Sequence, residues 1–428
     1  MKCGTSKQGG GFDIVIGNPP YINVELLEEK LKKFLFNNYK TCKGRTDIYI
    51  AFVEKSIELL NSNGVNLFII PYSFTNQNYA EPLRRMLVTS HSVDEILDTS
   101  NYFVFENANV KNIILRISKK KGEETMVKIA KQKENFKLDN FELRKIKTEN
   151  FALLNNCRFE TKDFEAYLSL KDKIEKDTIK FEDIFLVAYG VRVNHKTDSQ
   201  KPKSFYVSDE QKDGYKIFTE GRNIERYHYS QNGWLNYCPQ EHYNPMFPEL
   251  FENKKIMFIN VVSTRIRFAY DNNKVYNSHT VINCVRIDKL KSAKHISARR
   301  ALANGNVELA KNFNTLFVLG VLNSNLTNWY FMQFLSEGLH FYPDDAKQLP
   351  ICITEHEQQQ PIITLVNQVI EAKKDNPKAD TTDLENQIDI LVYKLYKLTY
   401  EEAKVIDPEI ENIISKEKYD AESEKYKI

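Results

Sequence analysis

The residues best suited to chemistry are Asn18-Pro19-Pro20-Tyr21, directly after a short apolar run from Phe12 to Gly17. Each proline locks its φ and lacks an N–H, so the pair ends a strand and holds its carbonyls outward at a rigid place. Asn18 adds one acceptor and two donors, and Tyr21 adds a flat face. Two fixed acceptors can take both hydrogens of an exocyclic amine while the ring stacks on the base that carries it. The amine nitrogen is then aimed at a methyl donor. The rival reading is a plain Pro-Pro turn. The strand before the motif and the helix and strand after it favour the chemical one. The sequence has no H-E-x-x-H, no phosphate-cradling G-x-x-x-x-G-K-[S/T] and no G-x-S-x-G. The eight histidines are dispersed, so no metal site is expected, and no Pro-Cys nucleophile is present for covalent attack on cytosine carbon-5.

The elements that position the motif read as alternating strands and helices. Phe12–Gly17 looks like a strand buried on both faces. A helix follows over 47–60 with Ile50, Val53, Ile57 and Leu60 on one stripe, ended by Asn63-Gly64. A buried strand over 65–70, a helix over 79–88, and strands over 93–97 and 110–117 complete the pattern of a parallel, doubly wound sheet. Lys119-Lys120-Lys121-Gly122 opens a polar stretch, and a domain edge is placed between about 120 and 180. The middle is aromatic and irregular, with strands over 215–218, 255–259 and 281–287 and a helix pair over 316–335 broken around Asn323-Ser324-Asn325. The end is helical. Thr382-x-x-Glu385 and Thr399-x-x-Glu402 read as capping boxes, and the last dozen residues as frayed. This divides the chain into 1–145, a linker over 146–180, an irregular domain over 181–355 and helices over 356–428.

With 428 residues, 42% hydrophobic and 28% charged, the composition is globular, and two or three domains are expected. Sixty basic against 58 acidic residues neither demand nor exclude nucleic acid. No apolar run is long enough to span a membrane, no signal peptide is visible, and the six cysteines are widely spaced. A cytoplasmic protein with free thiols is expected.

F-D-I-V-I-G-N-P-P-Y resembles motif IV of the gamma-class, TaqI-like N6-adenine DNA methyltransferases. Lys43-Gly44-Arg45-Thr46-Asp47-Ile48-Tyr49 with the helix after it, Ile70-Pro71-Tyr72-Ser73-Phe74 and Tyr79 to Leu87 resemble the family's next segments. Val104-Phe105-Glu106-Asn107-Ala108 resembles its V-F-x-x-A motif, which gives Phe105 a contact with an extruded adenine. Gly190-Val191-Arg192-Val193-Asn194, Glu220 to Tyr227 and Leu322-Asn323-Ser324 resemble its target-recognition domain. Asn223 stands where that group has an acidic residue, and a second glycine is missing near Asn194. Leu349-Pro350 and the helices through Thr399 resemble the tail of type IIG-like fused restriction-modification enzymes.

The resemblance implies a partial Rossmann-like S-adenosylmethionine-dependent sheet from motif IV onward, a mixed α/β target-recognition domain and C-terminal helices. Its catalytic set is Asn18, Pro19, Pro20, Tyr21 and Phe105. Asn18 and Pro20 also line the S-adenosylmethionine site, whose glycine-rich loop is missing. Gly9-Gly10-Gly11 runs into a strand rather than from a strand into a helix, so it fails as that loop. An upstream polypeptide carrying the cofactor-binding half is therefore expected as a partner. The other partner is double-stranded DNA with one extruded adenine. Arg192, Asn194, Lys196, Arg222, Asn223, Arg226, Arg265, Arg267, Arg299 and Arg300 are the DNA-contact candidates, since Arg and Asn read base edges. Pro343-Asp344-Asp345-Ala346-Lys347 carries the letters of a P-D…D-x-K nuclease, but its acidic residues are adjacent and a solvated turn is expected. The rival to an enzyme is a DNA-recognition module, or a truncated relic, that catalyses nothing. A third reading makes the helical tail a partner-docking element.

Overall fold

The computed structural model describes residues 10–100, 111–130, 141–161, 164–261, 265–335 and 340–426, with side chains through 421. The chain forms two units, Met1–Glu165 and Ala166–Ile428.

The first unit is a six-stranded sheet. Its strands are β1 (Phe12–Gly17), β2 (Leu60–Pro71), β3 (Ser92–Asp98), β4 (Asn112–Ser118), β5 (Glu124–Ala130) and β6 (Phe141–Lys147), in the order β1-β2-β4-β3-β5-β6. Only β1–β2 and β3–β5 are parallel. The other pairs are antiparallel, so the sheet is mixed rather than parallel and doubly wound. The physical reason is β4, which returns from β3 to pair between it and β2.

The helices are α1 (Glu29–Asn38), α2 (Tyr49–Leu59) and α3 (Glu81–Ser90). Ile50, Val53 and Ile57 of α2 and Leu83 and Leu87 of α3 are buried, as are Phe68, Ile70, Ile113, Leu115, Ile117 and Val127 of the sheet. Asn63-Gly64 does not end a helix. The helix stops at Leu59 and β2 starts at once. Pairing shifts from Phe12↔Leu60 to Ile14↔Val65, a bulge that holds the extra residues. A Cβ on Gly64 would lie 2.5 Å from the Phe12 carbonyl, so only glycine fits where β1 crosses.

β1 is not buried on both faces. It is an edge strand, and Ile14 and Ile16 are 68% and 73% exposed. The alternation of a half-open sheet explains this. Ile14 and Ile16 share a face with half-buried Val65 and Leu67. Farther along, the exposed positions are charged and paired, as in Lys128–Glu95 at 2.9 Å. The polar stretch after Ile117 holds β5 and β6, whose period-two alternation (Thr125, Val127 and Ile129 inward or half-inward) was legible as strand. The stretch 146–180 is not an open linker. It holds 3-10 turns over 148–157, the helix Phe164–Glu175 and the strand Thr178–Lys180, and the unit boundary falls within that helix.

The second unit is built on an antiparallel sheet ordered Phe268–Asp271, Lys255–Ile259, Val281–Arg286, Phe185–Tyr189. Helices Thr315–Asn323 and Asn325–Tyr330 meet at Ser324, whose hydroxyl caps the second by accepting from the Thr327 N–H. The tail helices His356–Asp375 and Thr382–Leu395 belong to the same core as this sheet. Gly320 makes their approach possible, because a Cβ there would lie 2.6 Å from Ile362 and 3.0 Å from Val366. The capping box at Thr399–Glu402 forms. The one expected at Thr382 does not: Thr381 is the cap position, and Thr382 bonds Asp380 instead. The final segment Lys416–Tyr426 is helical, with Tyr419 buried. No described helix is long and apolar enough to cross a membrane.

Lys255 and Asp271 form a fully buried ion pair inside this sheet. Lys255 also donates to the Phe251 carbonyl at 2.7 Å. Asp271 also accepts from Tyr229 at 2.7 Å and from the N–H groups of Asn273 and Val275. Burial pulls the Lys255 amine below the usual lysine range, against the pull of Asp271. Lys255→Met is expected to destabilise this unit by about 3–5 kcal/mol, because it strands a buried carboxylate. Urea unfolding measures this, and a loss under about 1 kcal/mol would contradict it.

Candidate functional site

Asn18-Pro19-Pro20-Tyr21 leaves the C-terminal end of β1. Pro19 is buried, Asn18 and Pro20 are exposed, and Tyr21 is half-buried. Asn18 has no side-chain hydrogen bond among the described residues, so its amide is free to meet a ligand. Tyr21 is held firmly. Its hydroxyl donates to the Ile69 carbonyl at 3.0 Å and accepts from Asn112 Nδ2 at 3.2 Å. Its ring meets Tyr49 edge-on, with centroids 6.2 Å apart. Burial pushes the Tyr21 phenol up to about 12, with the Asn112 bond opposing, so the ring is neutral at physiological pH.

The segments around the motif are tied by one half-buried polar network. The Ile48 N–H donates to the Ile22 carbonyl and the Val24 N–H to the Thr46 carbonyl, both at 2.9 Å. Between these bonds Asn23 Nδ2 donates to Asp47 at 3.1 Å. Tyr79 donates its one proton to the other Asp47 oxygen at 3.0 Å. Tyr49 and Ser73, at 3.1 and 3.0 Å, are then the donors to the Tyr79 oxygen. So 18–24, 46–49, 73 and 79, scattered along the sequence, converge behind the Tyr21 ring. Sequence reasoning quoted these stretches but gave Asp47, Tyr49 and Tyr79 no role. Asn112 carried no signal at all.

Phe105, the other expected base contact, lies outside the described residues. The fit to S-adenosylmethionine is incomplete. Its ribose and ammonium call for carboxylates, and Asp47, tied to the motif through Asn23, already gives one acceptor position on each oxygen to Asn23 and Tyr79. The described residues of the motif present one side-chain amide, Asn18, without a hydrogen-bond partner and one ring, Tyr21, fixed in place.

The DNA-contact candidates separate into two sets. Arg192 and Asn194 point outward from the strand Arg192–His195, with Val193 buried between them, and Lys196 follows, exposed. The Arg192 guanidinium sits 4.6 Å above the Tyr243 ring. Glu220 gathers Lys203 at 2.5 Å and Arg222 at 3.6 Å. Burial, with Arg192 and Lys203 close by, holds His279 below the usual histidine range. Lys203, Tyr243 and His279 thus lie beside these candidates, and sequence reasoning had given them no role. Arg299 and Arg300 are exposed on the helix Ile296–Asn304.

The other set is turned inward. Arg226 pairs with Glu385 and donates to the Asn323 carbonyl at 2.6 Å, and Arg265 donates to the same carbonyl at 2.9 Å. Behind them burial pushes the Asp389 carboxyl up to about 6, despite both arginines. Both guanidinium groups are thus engaged within the protein, Arg226 with the tail helix and both with the end of the helix Thr315–Asn323. Asn223 donates to Ser230 at 3.2 Å and is half-buried, and Arg267 pairs with Glu225 at 3.0 Å. Pro343–Lys347 is a short helix in which Asp344 pairs with Lys347 at 2.7 Å, as befits a solvated segment rather than a nuclease site.

Residues 2–105 match the model of the Eco57I restriction-modification methylase family. The type II methyltransferase M.BstVI of Geobacillus stearothermophilus is 36% identical over 96 residues, 22% of this chain and 17% of that one. A chain named as a type II restriction enzyme and methyltransferase in Methanocaldococcus jannaschii is 28% identical over 442 residues, 96% of this chain and 33% of its own length. This chain therefore spans a third or less of these relatives. Among solved structures, the DNA complex of the type IIL restriction-modification enzyme MmeI aligns with 94% of this chain and 55% of that one, at 12% identity and a TM-score of 0.41.

Proposed function

We propose that this chain holds the target base and reads the DNA for a restriction-modification methyltransferase that modifies adenine at N6. The observation that carries the reading is the pairing of a free, exposed Asn18 on a rigid Pro-Pro segment with a Tyr21 ring already fixed in place. The similarity of residues 2–105 to restriction-modification methylases supports it. Asn18 and the Pro19 carbonyl take the two amine hydrogens and turn the nitrogen lone pair outward. Tyr21, and by resemblance Phe105, sandwich the extruded ring. S-adenosylmethionine, when bound, supplies an electrophilic methyl group. Its main contacts come from further polypeptide, and the open edge and exposed apolar face of β1 favour that. Arg192, Asn194, Lys196 and Arg222 face the duplex.

A recognition module without catalysis is the second reading, favoured by the Asn23 and Tyr79 bonds that already occupy a position on each Asp47 oxygen. Calorimetric titration with S-adenosylmethionine, then transfer of labelled methyl to duplex DNA, separates the two. Label recovered as N6-methyladenine supports the enzyme. Binding of DNA with no label in any assembly containing the chain supports the module, and label on cytosine N4 removes the adenine assignment. Arg192→Ala is expected to weaken duplex binding and to lower the slope of log K against log salt by about one. An unchanged affinity and slope would remove Arg192 from the DNA face.

A further inference from the structure

We infer that Asn112 is a positioning residue for base stacking, acting through the Tyr21 hydroxyl. The inference rests on the proposed function and names a part of that site that the motif does not contain. Asn112 is the first residue of β4, opposite Pro71 of β2, and is fully buried. Its Nδ2 donates to the Tyr21 hydroxyl at 3.2 Å and lies 3.5 Å from the Ile70 carbonyl. The Ile70 carbonyl sets the orientation of the amide, because the amide oxygen in that place would face another oxygen. The Tyr21 hydroxyl must therefore accept from Asn112. Its own proton is left one acceptor, the Ile69 carbonyl at 3.0 Å.

The tip of the ring is thus clamped between two adjacent peptide units of β2 by way of Asn112, and its side rests on Tyr49. A ring fixed before the base arrives loses no rotamer freedom when stacking begins. The remaining atom of the amide argues that Asn112 is more than filler. Its Oδ1 is buried with no hydrogen-bond partner among the described residues. A leucine of similar shape would fill the site without stranding Oδ1, so what asparagine supplies here is the Nδ2 link to the Tyr21 hydroxyl.

The test is photo-crosslinking of the full chain to duplexes with randomised flanks that carry one unpaired 5-iodouracil. The unpaired base is the most easily extruded, and crosslinking requires the base to lie against an aromatic face. Yields are read at saturating DNA, with affinity measured separately by anisotropy and folding by circular dichroism. Asn112→Leu is expected to lower the yield roughly five-fold, the ratio that one hydrogen bond supplies, at unchanged DNA affinity, and Tyr21→Phe, which loses the Ile69 bond as well as the Asn112 bond, at least as much. The double variant is expected to lose no more than Tyr21→Phe alone, because that change already removes the Asn112 link. A filler role for Asn112 would instead leave Asn112→Leu at the wild-type yield, or give a loss that adds to that of Tyr21→Phe, and either result overturns the inference. Tyr21→Phe needs no buried substitution and keeps the test valid if Asn112→Leu misfolds, so wild-type yield from Tyr21→Phe overturns the inference alone. No crosslink from the wild-type chain overturns both the inference and the proposed function.

Discussion

Alanine at position 18 is expected to lower methyl transfer to duplex adenine by about 10²–10³-fold in the active assembly, with DNA affinity unchanged. That is the scale for removing one preorganised hydrogen-bonding group from a reacting centre. The affinity is spared because Asn18 is exposed and free of hydrogen bonds within the described protein, so its removal disturbs no packing. The rate is not spared, because the neutral amine is a poor nucleophile whose lone pair is conjugated with the ring. Acceptors on its two hydrogens draw the nitrogen toward a pyramidal, reactive shape. They act most strongly as charge develops there, which places the loss in kcat rather than KM. Single-turnover transfer of labelled methyl measures it. Transfer by Asn18→Ala at the wild-type rate would remove Asn18 from the site, and a parallel loss of DNA binding would make its role one of docking.

The second large effect is on folding. Arg84, in α3, is fully buried and donates four hydrogen bonds to main-chain carbonyls. Nη1 reaches Phe74 at 2.6 Å and Gln77 at 2.9 Å, Nη2 reaches Asn156 at 2.8 Å, and Nε reaches Cys157 at 3.0 Å. Asn156 and Cys157 lie in the left-handed region, at φ 53° and 50°. Such a turn persists only where its surroundings hold it, and here Arg84 does so. Burial pulls its guanidinium down to about 10, so it stays charged at neutral pH. Arg84→Met keeps the volume but leaves the Phe74, Asn156 and Cys157 carbonyls unmet, while the Gln77 carbonyl keeps the Ala80 N–H. Each unmet buried acceptor costs roughly 1–3 kcal/mol, not additively, so a loss of about 4 kcal/mol is expected. In a unit of this size that corresponds to a fall in Tm of about 8–16 °C. Arg84→Lys is expected to recover less than half, since one ammonium cannot reproduce the fork. Calorimetry decides, and a fall under about 2 °C would show that the turn holds without Arg84. The same anchor fixes the segment after β2, so partial folding would also displace Ser73 from Tyr79.

Local patterns settled much of this protein. A β-branched run ending in two prolines marks β1 and the place where it must stop, and the place of Asn18 follows from that. Helix stripes such as Ile50, Val53 and Ile57, the box at Thr399 and the break at Ser324 were legible because each is written within a few residues of chain. The rest depended on partners far apart in sequence. Strand order and direction, which made the sheet mixed and left β1 at its edge, follow from which strands pair, and an apolar run reads the same in either place. Arg226 and Arg265 read as surface cations until Asn323 and Glu385, far along the chain, close over them. Asn112 and Arg84 are the plainest cases. A lone amide and a lone guanidinium have no period and no spacing, and only the fold brings to them the hydroxyl and the carbonyls that give them their work.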